Sequence, residues 1–159
     1  MLRPLLTIGD PALRGECHPV TKFNNIRLPL ILRDMAETMY HANGIGLAAP
    51  QIGIKRRMVV VDVGEGLIEP INPEITRFSE EKVGMDEGCL SVPGMRGYVM
   101  RPEKVTVKAQ NRKGEWFTIE ADGLLARCLQ HEIDHLDGVL YVDKMEYEIK
   151  PEDEDGQEA

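Results

Sequence analysis

The sequence predicts an α+β fold, with antiparallel sheets packed around a central helix and a further helix near the N-terminus. Three observations predict it. Residues 25–41 and 123–136 each place apolar side chains on one helical face. Residues 104–121 alternate apolar and polar side chains on both sides of a turn, as the two strands of a hairpin do. The order of helix, several strands and helix, with short connections between strands, favours antiparallel pairing.

The N-terminal part is predicted to hold one short and one long helix. Asp10 and the proline after it are typical of a helix cap and first turn, and Gly15 ends that short helix. In residues 25–41 apolar side chains recur at intervals of three and four, which indicates an amphipathic helix. Asn43 and Gly44 end it.

The strand predictions rest on β-branched residues and on alternation. The clearest signals are a run of valines and the two arms of the hairpin, whose turn is residues 111–114. Two weaker strand signals lie between the valine run and the hairpin. A last short strand is predicted after the second long helix. The predicted strands are residues 57–63, 67–71, 97–100, 104–109, 115–121 and 139–142.

Composition and charge are those of a single-domain globular protein. The 159 residues are 42% apolar and suffice for one hydrophobic core. The net charge is −8, and residues 146–159 carry most of it, because seven acidic residues and one lysine are concentrated there. We therefore expect one folded domain at residues 1–145 and an acidic, disordered tail at residues 146–159.

Several partner classes are excluded by the same inspection. No apolar run approaches the ~18 residues that a membrane span needs. Residues 1–10 lack a continuous apolar stretch and a small-residue cleavage site, so we expect that they are not a signal peptide. No cluster of basic residues suggests nucleic-acid binding. The three widely spaced cysteines do not suggest a disulfide framework, so a cytoplasmic, reducing location is expected.

The second long helix carries the strongest chemical signal. It is predicted to begin after Asp122 as its cap and to close at Gly138. His131 and His135 are four residues apart and therefore lie on one helical face, where two imidazoles can bind one metal ion. Glu132 lies beside them and can act as general base toward a metal-bound water. The alternative is an exposed helix face that happens to hold two histidines.

A third ligand is needed, and the residues alone leave it open. Glu146 and Glu148 are the only nearby acids of the kind that thermolysin-like proteases use, and Tyr141 replaces the third histidine of metzincins. Cys128 lies too far back along the same helix, because the rise per residue is ~1.5 Å, and core packing is its expected role. Cys89, in a predicted loop, can approach the histidine pair, although an inert buried thiol is the alternative.

The chain resembles the peptide deformylases over residues 5–142, and three motifs in the family's order carry the likeness. The opening residues 9–14 and the Asp122-Gly123 helix start also fit. The three motifs are Gly44-Ile-Gly-Leu-Ala-Ala-Pro-Gln51, Glu87-Gly-Cys-Leu-Ser91 and Gln130-His-Glu-Ile-Asp-His135.

The resemblance implies a metal-dependent hydrolase that removes the formyl group from the N-terminal formyl-methionine of newly made proteins and releases formate. It implies that Cys89, His131 and His135 bind the metal and that water is the fourth ligand. Glu132 would take a proton from that water and later deliver it to the leaving amine. The Gln51 side-chain amide and the Leu90 backbone N–H would face the developing oxyanion, and the domain at residues 1–145 would be catalytic.

The substrate is expected to contact apolar and glycine positions. Gly44 and Gly46 would allow a peptide main chain to come close and pair as an added strand. A helix stop followed by a turn is the plainer interpretation of these two glycines. The methionine side chain needs an apolar pocket, whose candidates are equally interpretable as core. The expected substrate-binding residues are Gly44, Ile45, Gly46, Leu124, Leu125 and Cys128.

Two charged residues near the predicted metal site, Glu87 and Arg127, lead to further expectations. Glu87 is expected to hold the Cys89 segment by pairing with Arg101, or otherwise with Arg96, and an exposed, weakly coupled pair is the alternative. Arg127 stands where many family members have an apolar residue, which would place a charge at the rim of the pocket. The C-terminal helix of longer members has no counterpart after Met145, so no ribosome contact through it is implied.

The metal is expected to be one divalent ion per chain. Two imidazoles and a thiolate suit Zn²⁺, Fe²⁺, Ni²⁺ and Co²⁺, and the resemblance implies Fe²⁺ in the cell. The expected partners are formyl-methionyl peptides and nascent chains at the ribosome, with no nucleic-acid or membrane binding. Two other functions remain open from the residues alone: a zinc metallopeptidase, and a domain whose metal is purely structural.

Overall fold

A computed structural model describes residues 1–150, and residues 151–159 lie outside the described part. The two helices are α1 (Arg27–His41) and α2 (Gly123–Leu136). The strands are β1 (Gly46–Ala48), β2 (Val59–Val61), β3 (Ile71–Phe78), β4 (Lys82–Cys89), β5 (Val92–Pro102), β6 (Lys104–Gln110), β7 (Trp116–Asp122) and β8 (Tyr147–Ile149). Short 3-10 turns occur at Pro11–Leu13, Ala49–Ile52 and Tyr141–Asp143.

The strands pair antiparallel in three sheets. One sheet contains β1 and β2, a second has the order β3-β6-β7, and a third has the order β4-β5-β8. The predicted hairpin is confirmed, since β6 and β7 pair without interruption from Lys104 opposite Asp122 to Gln110 opposite Trp116. In the third sheet, Cys89 at the end of β4 lies opposite Val92 at the start of β5.

The small sheet of β1 and β2 lies between the two helices. Successive side chains of a strand point to opposite faces. Leu47 and Val60 accordingly pack in one core cluster with α1, whereas Ala48 and Val61 pack in another with α2. The second cluster also contains the buried side chains of β6 and β7, so α2 is covered on several sides. The α+β fold with a central helix is therefore confirmed.

The local predictions for the helix ends were mostly accurate. Asp10 accepts a hydrogen bond from the Ala12 N–H at 2.9 Å, as a cap does. Helix α1 begins two residues later than expected, and Asn43, with a positive φ of 59°, follows its end. Helix α2 has the predicted bounds, but the side chain of Asp122 makes no capping hydrogen bond.

Several strand predictions were wrong. The run at 57–63 forms a strand only over Val59–Val61, the weak segment at 67–71 is reduced to a bridge between Ile68 and Val61 before β3 begins, and β1 and β4 were missed. The expected strand at 139–142 is a 3-10 turn. The Asp143 carboxylate closes that turn by accepting the Leu140 N–H at 2.9 Å, and Leu140 and Tyr141 are buried there without sheet pairing.

The first part of the predicted tail is a β-strand, which its acidic composition did not indicate. Tyr147 and Ile149 alternate with charged residues, and this segment forms β8 on the edge of β5. The ring of Tyr147 stacks on that of Tyr98 with centroids 5.1 Å apart. The tail boundary at residue 146 is therefore corrected for residues 147–149, and the rest of the predicted tail, after residue 150, lies outside the described residues. Within residues 1–150, no helix combines the length and apolar character that crossing a membrane requires.

Candidate metal centre

Helix α2 and strand β4 bring three metal-binding side chains together. His131 and His135 lie one turn apart on α2, with ring centroids 5.2 Å apart. The Cys89 sulfur lies 3.3 Å from His135 Nε2. One ligand atom from each of the three side chains lies within 4.8 Å of the other two, and both histidines are buried. Cys128, by contrast, is packed in the core, with its sulfur 3.5 Å from the Ile45 carbonyl oxygen.

The prediction that Cys89 lies in a loop was wrong. Cys89 is the last residue of β4, and the chain turns directly into β5 after it. Strand β4 contains two glycines and two acidic residues, which are depleted in strands, so its composition concealed it. A paired strand end fixes the backbone of Cys89 more firmly than an open loop would.

Glu87 connects the two elements of the site. Its carboxylate accepts hydrogen bonds from Arg101 Nε at 2.6 Å and Nη2 at 3.0 Å, which confirms the predicted partner. Arg96 instead bonds Asp86. Glu87 Oε1 also lies 2.9 Å from His131 Nδ1. A carboxylate only accepts, so this contact places the proton of a neutral His131 on Nδ1 and leaves Nε2 with a lone pair for a metal ion.

The expectation for Arg127 was wrong. Its guanidinium is buried rather than at a pocket rim, and it donates to Glu87 Oε2 at 2.5 Å. It also donates to the carbonyl oxygens of Val99 at 3.1 Å and Val83 at 2.7 Å. The positive charge is therefore neutralised inside the protein, next to Glu87.

The electrostatics of the metal-ligand cluster, which consists of Cys89, His131 and His135, fit a divalent cation. Burial lowers the pKa of His131, but Glu132, Cys89 and Glu87 outweigh burial and raise it to about 10. The surroundings of His131 therefore favour positive charge. Burial and the charge of His131 lower the pKa of His135 to about 3, which keeps that imidazole neutral. Burial raises the pKa of Glu87, but hydrogen bonds from His131 and Arg101 lower it to about 2, so it stays ionised.

Glu132 is buried beside the cluster with one oxygen unused. Its Oε1 has no hydrogen-bond partner, and burial raises the pKa of this carboxyl to about 7. Its other oxygen faces β1 at Gly46, where a Cβ would lie 2.5 Å from Glu132 Oε2 and 2.7 Å from Cys128 Sγ. Gly46 therefore allows β1 to pack directly on α2, a function that the sequence did not reveal.

Gln51 presents its amide nitrogen to the cluster. Its Oε1 accepts the Ala48 N–H at 2.8 Å, which fixes the orientation of the amide group. Its Nε2 then donates to Ser91 Oγ at 3.1 Å and lies 3.6 Å from the Cys89 sulfur. Ser91 is fully buried, and the sequence did not single it out. Its place two residues after Cys89, in a motif already noted, was the available signal.

The predicted substrate residues lie around the cluster in different environments. Ile45 and Leu124 are partly exposed, whereas Leu125 packs against the core cluster that contains Cys128. The Leu90 side chain lies against Gly44, where a Cβ would be 2.8 Å from Leu90 Cδ1. A cavity of about 440 Å³ borders Cys89 and Leu90 and is lined by residues of the β4–β5 connection, including Pro93, Met95 and Arg96.

Tyr141 is a further neighbour of the cluster. Its ring lies 6.0 Å from that of His131, nearly parallel, and its hydroxyl donates to the Met95 carbonyl at 3.0 Å. The sequence showed only that Tyr141 occupies the position of a metzincin ligand. Its location indicates that it packs beside a histidine of the cluster and closes that side.

Comparison with known proteins gives consistent results. The family model described as "Polypeptide deformylase" matches residues 2–150. A peptide deformylase of Caldicellulosiruptor bescii is 56% identical over 144 residues, which are 91% of this chain and 86% of that protein. The crystal structure of a peptide deformylase from Thermotoga maritima has a TM-score of 0.89 and 45% identity, and the match covers 91% of this chain and 98% of that one.

A third comparison concerns a structure with a bound peptide. The structure of a class I type b peptide deformylase from Acinetobacter baumannii, bound to Met-Ala-Ser, has a TM-score of 0.87 and 35% identity. The match covers 91% of this chain and 99% of that one.

Proposed function

The chain belongs to the polypeptide deformylase family, and from this premise we propose what each residue of the metal centre does. The protein is a metal-dependent hydrolase that removes the N-formyl group from newly made polypeptides. One observation supports these roles most strongly. The thiol of Cys89 and the imidazoles of His131 and His135 lie together beside the buried carboxylate of Glu132, whose Oε1 has no hydrogen-bond partner. The proposed catalytic unit is the domain at residues 1–145 together with β8, which pairs with β5.

Cys89, His131 and His135 are the proposed ligands of one divalent ion. When bound, the ion supplies a Lewis acid that polarises the formyl carbonyl and makes water acidic enough to attack at neutral pH. Three protein ligands leave a position open for this chemistry, whereas structural zinc sites are usually closed by four. Fe²⁺ is the proposed ion in the cell, and Zn²⁺, Ni²⁺ and Co²⁺ also suit the donor set.

Glu132 is the proposed general base and acid. It takes a proton from the attacking water and later delivers a proton to the amine nitrogen as the C–N bond breaks, so formate and a free N-terminal amine result. Its unpartnered Oε1 supports this role, because no hydrogen bond within the protein competes for the proton. Its neighbour Gly46 leaves the space that this carboxylate occupies.

Gln51 and the Leu90 backbone N–H are the proposed oxyanion donors. The contact of Gln51 Oε1 with the Ala48 N–H directs the amide nitrogen toward Cys89, beside the metal ligands. A fixed donor stabilises negative charge as it develops on the formyl oxygen, without reorganisation during the step.

Gln51→Glu is expected to lower kcat/KM for a formyl-methionyl peptide by about 10²-fold with the metal retained, because a carboxylate cannot donate and repels the oxyanion. Formate release and metal content measure this. Ser91→Ala is the matched control, since it removes one partner of Gln51 but leaves the donor, and a smaller loss is expected. Full activity in Gln51→Glu would exclude Gln51 as a donor.

The proposed substrate is an extended peptide that begins with formyl-methionine. Its main chain would pair with the segment from Gly44 to Gly46, and its first side chain would contact Ile45, Leu124, Leu125 and Cys128. The exposure of Ile45 and its contact with Cys128 support this placement. The relative bound to Met-Ala-Ser supports a methionyl peptide as ligand. We propose that the enzyme acts in the cytoplasm, on nascent chains at the ribosome.

Metal analysis of protein purified without oxygen tests the ligand assignment. We expect about one iron ion per chain in the wild type and a loss of bound metal in Cys89→Ala, because a thiolate is a strong ligand for such ions. Cys17→Ala is the matched control, since Cys17 is also a free cysteine but is buried in the core. Stoichiometric metal in Cys89→Ala would contradict the assignment.

A further inference from the structure

We propose that Arg127 is a positioning residue of the metal centre, which acts through Glu87 to hold His131 in place and to fix the distance between helix α2 and strand β4. The inference rests on the proposed function, because it requires His131 and Cys89 to be metal ligands. Arg127 touches neither the ligands nor, in the proposed placement, the substrate.

The first observation is how Glu87 is shared between two residues of α2. Arg127 and His131 are four positions apart and lie on one helical face. Arg127 Nη1 donates to Glu87 Oε2 at 2.5 Å, and His131 Nδ1 donates to Glu87 Oε1 at 2.9 Å. The carboxylate therefore spans one turn of α2 and is held at each oxygen by a different residue of that turn.

The second observation is that Arg101 also ties Glu87 to α2, but through Asp134 and not across the turn from position 127 to position 131. Arg101 lies on β5 and grips Glu87 with two nitrogens, while a third nitrogen bonds Asp134 at 2.9 Å. With Arg127 and His131, Glu87 accepts four N–H groups, two at each oxygen, which is about the capacity of a carboxylate. Arg127 completes this set and leaves one orientation of the carboxylate plane that satisfies all four donors.

The third observation is that Arg127 also reaches both strands of the sheet that carries Cys89. Its guanidinium donates to the Val83 carbonyl on β4 at 2.7 Å and to the Val99 carbonyl on β5 at 3.1 Å. Two proposed ligands come from α2 and one from β4, so the geometry of the site depends on how these elements are held together. Arg127 is bonded to both elements.

The charges around Glu87 explain why a second buried guanidinium, that of Arg127, is tolerated beside Arg101. Arg127, Arg101 and Glu87 are all buried, and a buried charge is costly unless it is paired. Arg101 is shared between Glu87 and Asp134, while Arg127 pairs with Glu87. Both guanidinium groups are thus paired with an acid, Asp134 also pairs with Lys144 at 3.0 Å, and removal of Arg127 still leaves Glu87 paired with Arg101.

The test compares metal retention in Arg127→Met, Arg127→Lys and Arg57→Met with that in the wild type. Arg57 is the matched control, because its guanidinium braces the C-terminal end of the same helix through the Leu136 carbonyl at 3.2 Å and Asp137 at 2.9 Å, without reaching a ligand. Each protein is loaded with Co²⁺, and loss of the ion to a chelator is followed by the Co²⁺ absorption bands.

We expect Arg127→Met to lose Co²⁺ about 10- to 100-fold faster than the wild type, which is the usual effect of removing a group that orients a ligand. Its bands should also shift, whereas Arg57→Met should match the wild type in both respects. Arg127→Lys keeps the charge but replaces the planar two-nitrogen fork by a single ammonium, so an intermediate loss rate is expected, and this variant serves if Arg127→Met does not fold.

The imidazole NMR spectrum of His131 provides a second readout. In the wild type the Nδ1 proton, held by Glu87, should be protected from exchange with solvent, and this protection should fall in both Arg127 variants. Wild-type retention, bands and protection in folded Arg127→Met would overturn the proposal, as would equal losses in Arg57→Met. A wild type that binds no Co²⁺ would instead overturn the ligand assignment, and this inference with it.

Discussion

Glu132→Gln is expected to reduce kcat/KM for a formyl-methionyl peptide by about 10⁴-fold while the protein retains its metal. The value lies at the upper end for one acid–base group, because the same carboxylate is proposed to act in two proton transfers. Glutamine has nearly the same shape but cannot accept a proton. Since Glu132 Oε1 has no hydrogen-bond partner, the substitution breaks no contact at that atom, and the fold should be unaffected.

Formate release and metal content, measured on the same preparation, check this prediction. Asp137→Asn is the matched control, since it neutralises a carboxylate just after the same helix, one that pairs with Arg57 at 2.9 Å. Near wild-type activity is expected for the control. Unchanged turnover in Glu132→Gln would show that Glu132 is not the base, and loss of metal would show that it supports binding instead.

Gly46→Ala is expected to lower kcat/KM by roughly 10²- to 10³-fold, although Gly46 offers no reactive group. A Cβ at this position would lie 2.5 Å from Glu132 Oε2 and 2.9 Å from Glu132 Cγ. Gly46 is paired with Val61 and packed against α2, so β1 has little freedom to withdraw. The Glu132 side chain must therefore move, and small misplacements of a reacting group cost large factors in rate.

Gly46→Ala should also lower the free energy of unfolding by about 1–3 kcal/mol, as overpacking of a filled core usually does. Kinetics, metal content and denaturant unfolding measure the three effects. Gly44→Ala is the comparison, because the only atom within 3 Å of its Cβ would be Leu90 Cδ1, the end of a flexible side chain, and a smaller loss of activity is expected. Wild-type activity in Gly46→Ala would mean that Glu132 can be displaced without consequence.

The metal helix was predictable because its signal is local. The spacing of His131 and His135, with Glu132 between them, requires only the helical period. The bounds of α2 and the β6–β7 hairpin follow from patterns within a few residues, and both were accurate. The third metal-binding side chain, Cys89, was a candidate from the residues and was implied by the family resemblance. Its setting was not predictable, because Cys89 reaches the histidines through the pairing of β4 with β5, which no local pattern showed.

Strand β1 and the burial of Arg127 were not predicted, and both depend on contacts between segments far apart in the chain. Strand β1 is short and fully buried between two helices, so it shows no alternation, and its glycine resembled a turn residue. The burial of Arg127 depends on Glu87, 40 residues earlier, together with two strand carbonyls. A single arginine in a helix gives no local sign of such partners, and its charge suggested the surface.

The most direct test of the central claim is product analysis with a formylated tripeptide. Formyl-Met-Ala-Ser is incubated with metal-loaded protein prepared without oxygen, with chelator-treated protein, and with that protein after metal is restored. We predict formate and Met-Ala-Ser in equal amounts, no formate after chelation, recovery on reloading, and no cleavage of unformylated Met-Ala-Ser. Cleavage of an internal peptide bond, or no formate from protein that holds one metal ion per chain, would contradict the account.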